Sequence, residues 1–145
     1  RDSLKSCSLS EFGGSNPPSC IGKMKRKIIN PICIDFEGVI SEYDGWKDEE
    51  VLGKPMKGAK EFIEKIINSG LKYSIFTTRP IDKIESWIKE NYFPKPEIIT
   101  YIKIKSPLYI DDRCIKFDGD FDKLIKDMKK FNVYWEKEKI FSEYL

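Results

Sequence analysis

Apolar and polar positions alternate between two periods along residues 28–135. Residues 28–34 (Ile-Ile-Asn-Pro-Ile-Cys-Ile) form a short apolar run, the pattern of a buried strand, with Pro31 weakening its start. Residues 55–69 change to helical spacing: Ala59, Phe62, Ile63, Ile66 and Ile67 share one face, and Gly70 supplies a stop. Residues 71–76 read as a second strand. Residues 81–91 read as a second helix, with Ile81, Ile84, Trp87 and Ile88 on one side and Pro80 in front. Residues 97–102 and 107–110 read as strands three and four. Residues 120–130 read as a third helix with Phe121, Leu124, Ile125 and Met128 inward, and residues 133–135 (Val-Tyr-Trp) as a fifth strand. This alternation predicts an α/β fold: a parallel sheet with helices on both faces.

Residues 1–23 break the pattern. They are rich in Ser, Gly, Pro and Asn and offer little periodic apolar surface, which predicts disorder or a non-native extension. Met24 and the basic residues after it look like a natural start, so residues 24–145 are expected to form a single domain.

Composition narrows the chemistry. The chain of 145 residues carries 34% charged residues but a net charge of only +2, the balance of a well-solvated surface rather than of a strongly basic nucleic-acid binder. It contains no histidine, which removes Ser-His-Asp and Cys-His catalysis, His-ligated zinc and histidine general bases. Cys7, Cys20, Cys33 and Cys114 form no C-x-x-C pair, and Cys33 lies in an apolar run as a small core residue would. With no signal-peptide core and no membrane-length apolar run, the expected location is the cytoplasm.

In open α/β sheets ligands bind beyond the carboxyl ends of the strands. There the sequence delivers Asp35 and Glu37 after strand one, Thr77, Thr78 and Arg79 after strand two, Lys103 and Lys105 after strand three, and Asp111, Asp112 and Arg113 after strand four. A carboxylate can attack phosphorus, several carboxylates can hold Mg²⁺ through hard oxygen contacts, and a lysine and a hydroxyl can receive phosphoryl oxygens. Each piece alone has a plainer reading as an acidic turn, a capping hydroxyl or a surface lysine. Adjacent Asp111 and Asp112 are harder to dismiss, because neighbouring carboxylates repel.

Ile-Cys-Ile-Asp-Phe-Glu-Gly-Val-Ile (32–40) resembles the first motif of the haloacid dehalogenase superfamily, an apolar run followed by D-x-D-G-[TV]. Residues 73–79, an apolar strand ending in Thr-Thr-Arg, resemble the second motif, and Leu-Tyr-Ile-Asp-Asp-Arg (108–113) resembles the acidic fourth. The likeness spans nearly all of residues 28–135. It is closest to short phage and bacterial members that share Gly45-Trp46, the Ile-Asp-Asp-Arg step, Ile115 to Gly119 and a final aromatic strand. The Asp-Asp-Arg step is also similar to the phosphatase domain of phage polynucleotide kinases.

The resemblance implies a three-layer Rossmann-like sheet of about five strands in order 3-2-1-4-5, without a cap domain. It implies a Mg²⁺-dependent phosphomonoesterase working through an aspartyl phosphate. Asp35 would be the nucleophile and residue 37 the acid–base group. Thr77, with Thr78 and Arg79 nearby, would contact the phosphoryl group or substrate, although a structural ion pair suits Arg79 equally. Lys103, in preference to Lys105, would be the third-motif lysine. Asp35, the backbone carbonyl of Glu37, Asp111 and Asp112 would hold the metal. The departure is Glu37, where the superfamily has Asp: it keeps a carboxyl but is one methylene longer. The implied substrate is a small phosphorylated metabolite or nucleotide, or a larger phosphorylated molecule admitted by the missing cap. Tyr43 and Trp46 are placed either to stack on a base or sugar or to pack on the sheet rim. Other functions stay open: a non-catalytic phosphate- or Mg²⁺-binding member of the fold, a phosphatase of nucleic-acid 3′-phosphate ends, and phosphotransferase or dehalogenase chemistry with the same nucleophile, the last opposed by the acidic pair because dehalogenation does not need Mg²⁺.

Overall fold

A computed structural model of the chain describes residues 30–137. The reading of residues 1–23 as a separate tail lies outside them. In chain order the elements are β1 (Ile32–Asp35), α1 (Ala59–Asn68), β2 (Tyr73–Phe76), α2 (Ile81–Glu90), β3 (Ile99–Thr100), β4 (Tyr109–Ile110) and α3 (Phe121–Lys130). All strand pairs are parallel, and the sheet runs β3-β2-β1-β4. The fold is α/β in a Rossmann-like layout. Every strand is shorter than its apolar run suggested, because ladder pairing ends before apolar character does.

β1 is the hub. It pairs with β2 from Ile32↔Tyr73 to Asp35↔Phe76 and with β4 at Cys33↔Tyr109 and Ile34↔Ile110. Flanked on both edges, it is an apolar strand whose Cys33 and Ile34 are buried. The core continues through Phe36, Ile40, Ile63, Tyr73, Ile75, Ile84 and Trp87. α1 buries Ala59, Ile63 and Ile66, a stripe at helical spacing, and packs against β2. Gly70, at φ 78, accepts the left-handed turn that lets the chain leave α1 for β2. α2 buries Ile84, Trp87 and Ile88 and packs against β3.

Two expectations require correction. Residues 133–135 are not a fifth strand: Tyr134 and Trp135 form a turn after α3, so the sheet has four strands among the described residues. Val133 alone enters the core, while its two aromatic neighbours hydrogen-bond through their polar atoms, a use the apolar pattern does not reveal. The second concerns α3. It forms as expected, with Asp120 Oδ1 accepting the Lys123 backbone N–H at 2.9 Å as its N-cap. It buries no residue, however: Phe121 is 71% and Ile125 45% exposed. Similarly, Phe62 and Ile67 stay at the exposed margin of the α1 face.

Residues 36–58 cross the carboxyl edge of the sheet as a braced loop. Ile40 N–H and Ser41 N–H both donate to Phe36 O at 2.9 Å, and Glu42 N–H donates to Lys54 O at 2.8 Å. The excursion 43–53 is thereby closed at its base beside the end of β1. No helix of the described residues is long and apolar enough to cross a membrane.

Candidate functional site

Parallel strands put their carboxyl ends at one edge. Asp35 is the last residue of β1, and Asp111 follows the last residue of β4. Because these strands pair directly, the two carboxylates are neighbours. Asp112 completes the group: one oxygen each of Asp35, Asp111 and Asp112 lie within 4.8 Å of one another. Backbone N–H groups fix the first two. Asp35 Oδ1 accepts from Phe36 N–H at 2.9 Å, and Asp111 Oδ1 accepts from Arg113 N–H at 2.8 Å.

The group is electrostatically costly. Burial, and then the charges of Asp111 and Asp112, raise the Asp35 carboxyl from 3.8 to about 7, against the Phe36 N–H and the Arg113 cation, which favour ionisation. Asp112 Oδ1 is buried, with no hydrogen-bond partner among the described residues. A divalent cation fits this set: three hard oxygen donors, mutual repulsion that it would relieve, and a buried oxygen with nothing else to bind. Asp35, Asp111 and Asp112 would hold it.

Asp112 is also enclosed by the turn after α3 and the loop after β1. The Trp135 indole N–H donates to Asp112 Oδ2. Gly38, at φ 82, passes so close that a Cβ there would stand 2.5 Å from Asp112 Oδ2. Tyr134 Oη donates to Gly38 O at 2.7 Å, tying the same turn to the loop after β1. The Arg113 guanidinium lies 5.2 Å from the Tyr43 ring centre and 5.0 Å from that of Trp135, and those rings meet edge to face.

Beside the carboxylates a cavity of about 190 Å³ is lined by Cys33, Asp35, Phe76, Lys103, Tyr109, Ile110, Asp111 and Cys114. Lys103 therefore shares a cavity with Asp35 and Asp111, its ammonium 4.6 Å from the Tyr109 ring centre. Lys105 does not line this cavity. Cys33 and Cys114 are free thiols, both pushed up chiefly by burial.

At the end of β2, Thr77, Thr78 and Arg79 have three different settings. Thr77 is buried, and its Oγ1 accepts the Arg79 backbone N–H at 3.0 Å; Thr78 is exposed. Arg79 is buried and turned to Glu37: Nε and Nη2 both donate to Glu37 Oε1, at 2.9 and 2.6 Å. A third bond goes to Asp48 O, and the guanidinium stacks 4.0 Å from the Trp46 ring centre. The carboxylate of Glu37 is thus outside the aspartate cluster, and among the described residues only its Oε1 is hydrogen-bonded. The extra methylene of Glu37 gives it reach toward Arg79. Trp46 covers Arg79 with one face and is 58% exposed; Tyr43 packs on Trp135. A larger cavity of about 590 Å³ opens next to this pair, lined by Glu37, Arg79, Tyr43, Lys54, Tyr134 and the loop 42–56.

Tyr134 and Trp135 were not among the expected site residues. Their signal was present as an aromatic pair just after a helix, but apolar patterning assigns such residues to a core.

No protein-family model and no curated protein matches the sequence. Among solved structures, the chain is similar to a conserved protein coded by a locus from Bacteroides thetaiotaomicron, with a TM-score of 0.50 at 17% identity, over 71% of this chain and 92% of that one. At that identity the likeness supports the fold alone.

Proposed function

We propose that this chain is a Mg²⁺-dependent phosphomonoesterase of the haloacid dehalogenase type, with Asp35 as nucleophile. The observation that carries the reading is the cluster of Asp35, Asp111 and Asp112 at the carboxyl edge of a parallel sheet, with Asp112 Oδ1 buried and unpartnered. Asp35 attacks phosphorus, the phosphorus–oxygen bond to the leaving group breaks, and an aspartyl phosphate forms. Glu37, held through Oε1 by Arg79, supplies the proton to the leaving oxygen. Water then attacks the acyl phosphate, returning its proton to Glu37 and releasing inorganic phosphate and Asp35. A bound Mg²⁺ would offset phosphoryl charge. Lys103 adds a cation from the neighbouring cavity, and Thr77 a hydroxyl at the end of β2. The open cavity beside Glu37 leaves room for the alcohol portion of a phosphorylated metabolite or nucleotide, or for part of a larger substrate.

One observation favours a second reading. The grip of Arg79 on Glu37 would also suit a non-catalytic member of the fold that binds Mg²⁺ and phosphate without turnover. Phosphate release from a panel of small phosphate esters, with and without Mg²⁺, tests both. The proposal predicts Mg²⁺-dependent release that Asp35→Asn abolishes. Cation binding with no release from any ester, including activated ones, would favour the second reading.

A further inference from the structure

We infer that Trp135 is a positioning residue for the cation site: its indole N–H fixes Asp112 Oδ2, so that Asp112 Oδ1 is presented to the cation. This rests on the cation-binding reading above. Asp112 receives no bond from a helix N-terminus or a basic side chain among the described residues. The Trp135 indole is its sole side-chain hydrogen-bond partner there, and Oδ1 is left buried and free. An indole N–H donates and cannot accept, so it holds a carboxylate oxygen without competing for the cation. Groups that orient a ligating carboxylate in this way are part of a metal site's affinity.

The surroundings hold Trp135 in turn. Val133 is anchored in the core, Tyr134 Oη binds Gly38 O, and the Trp135 ring packs against Tyr43 and Arg113. The turn after α3 thereby joins the loop after β1 and the Asp111-Asp112-Arg113 step. Trp135 touches no reacting atom in this scheme and acts through Asp112.

The test is titration of the whole chain with Mg²⁺ alone, followed by calorimetry, for the unmodified protein, Trp135→Phe, Asp112→Ala and the double variant. Phenylalanine keeps the ring packing and removes the donor. Trp135→Phe is expected to weaken Mg²⁺ binding about tenfold or more. In the Asp112→Ala background the same substitution should change the dissociation constant less than about twofold, since nothing remains to position. Equal affinity for Trp135→Phe and the unmodified chain overturns the inference and leaves the cation site standing. An equal loss in both backgrounds also overturns it, showing general damage. An unmodified chain that binds no Mg²⁺ overturns both the inference and the cation reading. A measurement without any substitution guards against a variant that does not fold. Of the three tryptophans, the Trp135 indole ¹⁵N–¹H resonance should move on Mg²⁺ addition with the calorimetric midpoint, while that of Trp87, which donates to Gly53 O, stays in place. A stationary Trp135 resonance contradicts the inference.

Discussion

Asp35→Asn should stabilise the metal-free protein at alkaline pH. Asp35 is raised from 3.8 to about 7 by burial and by Asp111, so its ionisation opposes folding. At about 1.4 kcal/mol per pH unit, the difference amounts to about 4 kcal/mol. That is an upper figure, since Asp35 keeps partial contact with water that screens its neighbours; roughly 2 kcal/mol is the expected gain. The sign follows from proton binding. The folded state holds this proton more tightly than the unfolded one, so the contribution is full below pH 4, declines as pH rises and is gone above about pH 7. Asparagine cannot ionise, and its carbonyl can still accept the Phe36 N–H. Urea denaturation without divalent cations, at pH 4.5 and pH 8, measures this directly. The variant should gain on the unmodified chain as pH rises. Mg²⁺ at about one hundred times its dissociation constant should reverse the order at pH 8, stabilising the unmodified chain by about 2.7 kcal/mol. A variant no more stable than the unmodified chain at pH 8, with no dependence of the difference on pH, would refute the argument.

Further outcomes follow from other contacts. Glu37→Gln leaves the buried Arg79 guanidinium without its carboxylate and should lower stability by about 3 kcal/mol in chemical denaturation, with part of the loss recovered in Glu37→Gln/Arg79→Met. Gly38→Ala strains a positive φ and drives a methyl into Asp112 Oδ2, so calorimetry should record at least a tenfold loss of Mg²⁺ affinity. Ile34→Ala, in the fully buried centre of β1, should cost about 2–5 kcal/mol, whereas Phe121→Ala on exposed α3 should change the same denaturation midpoint little.

Strong local periodicity made much of this fold legible. The stripe Ala59, Ile63, Ile66 and the run Ile32-Cys33-Ile34 each carry their own evidence of burial, and parallel pairing follows from helices set between strands. Strand-end position then brought Asp35 together with Asp111 and Asp112, because β1 and β4 are neighbours. What escaped depends on partners distant in sequence. α3 has an amphipathic pattern, but a pattern states which face is apolar and not what will cover it. Glu37 and Arg79 are 42 residues apart, and neither the length of the glutamate nor the Thr-Thr-Arg step discloses their pairing. Val133, Tyr134 and Trp135 look like one strand because all three are large and apolar in composition. They divide their tasks between the core and two polar anchors.

The central claim is a covalent phosphoryl group on Asp35. Acid quench of the protein during reaction with Mg²⁺ and acetyl phosphate, followed by borohydride reduction and peptide mass analysis, reads it directly. Reduction converts an aspartyl phosphate to homoserine. Homoserine is expected at position 35, dependent on Mg²⁺ and absent at Asp111 and Asp112. Phosphate release with no modification at position 35, or modification at another carboxylate, would contradict it.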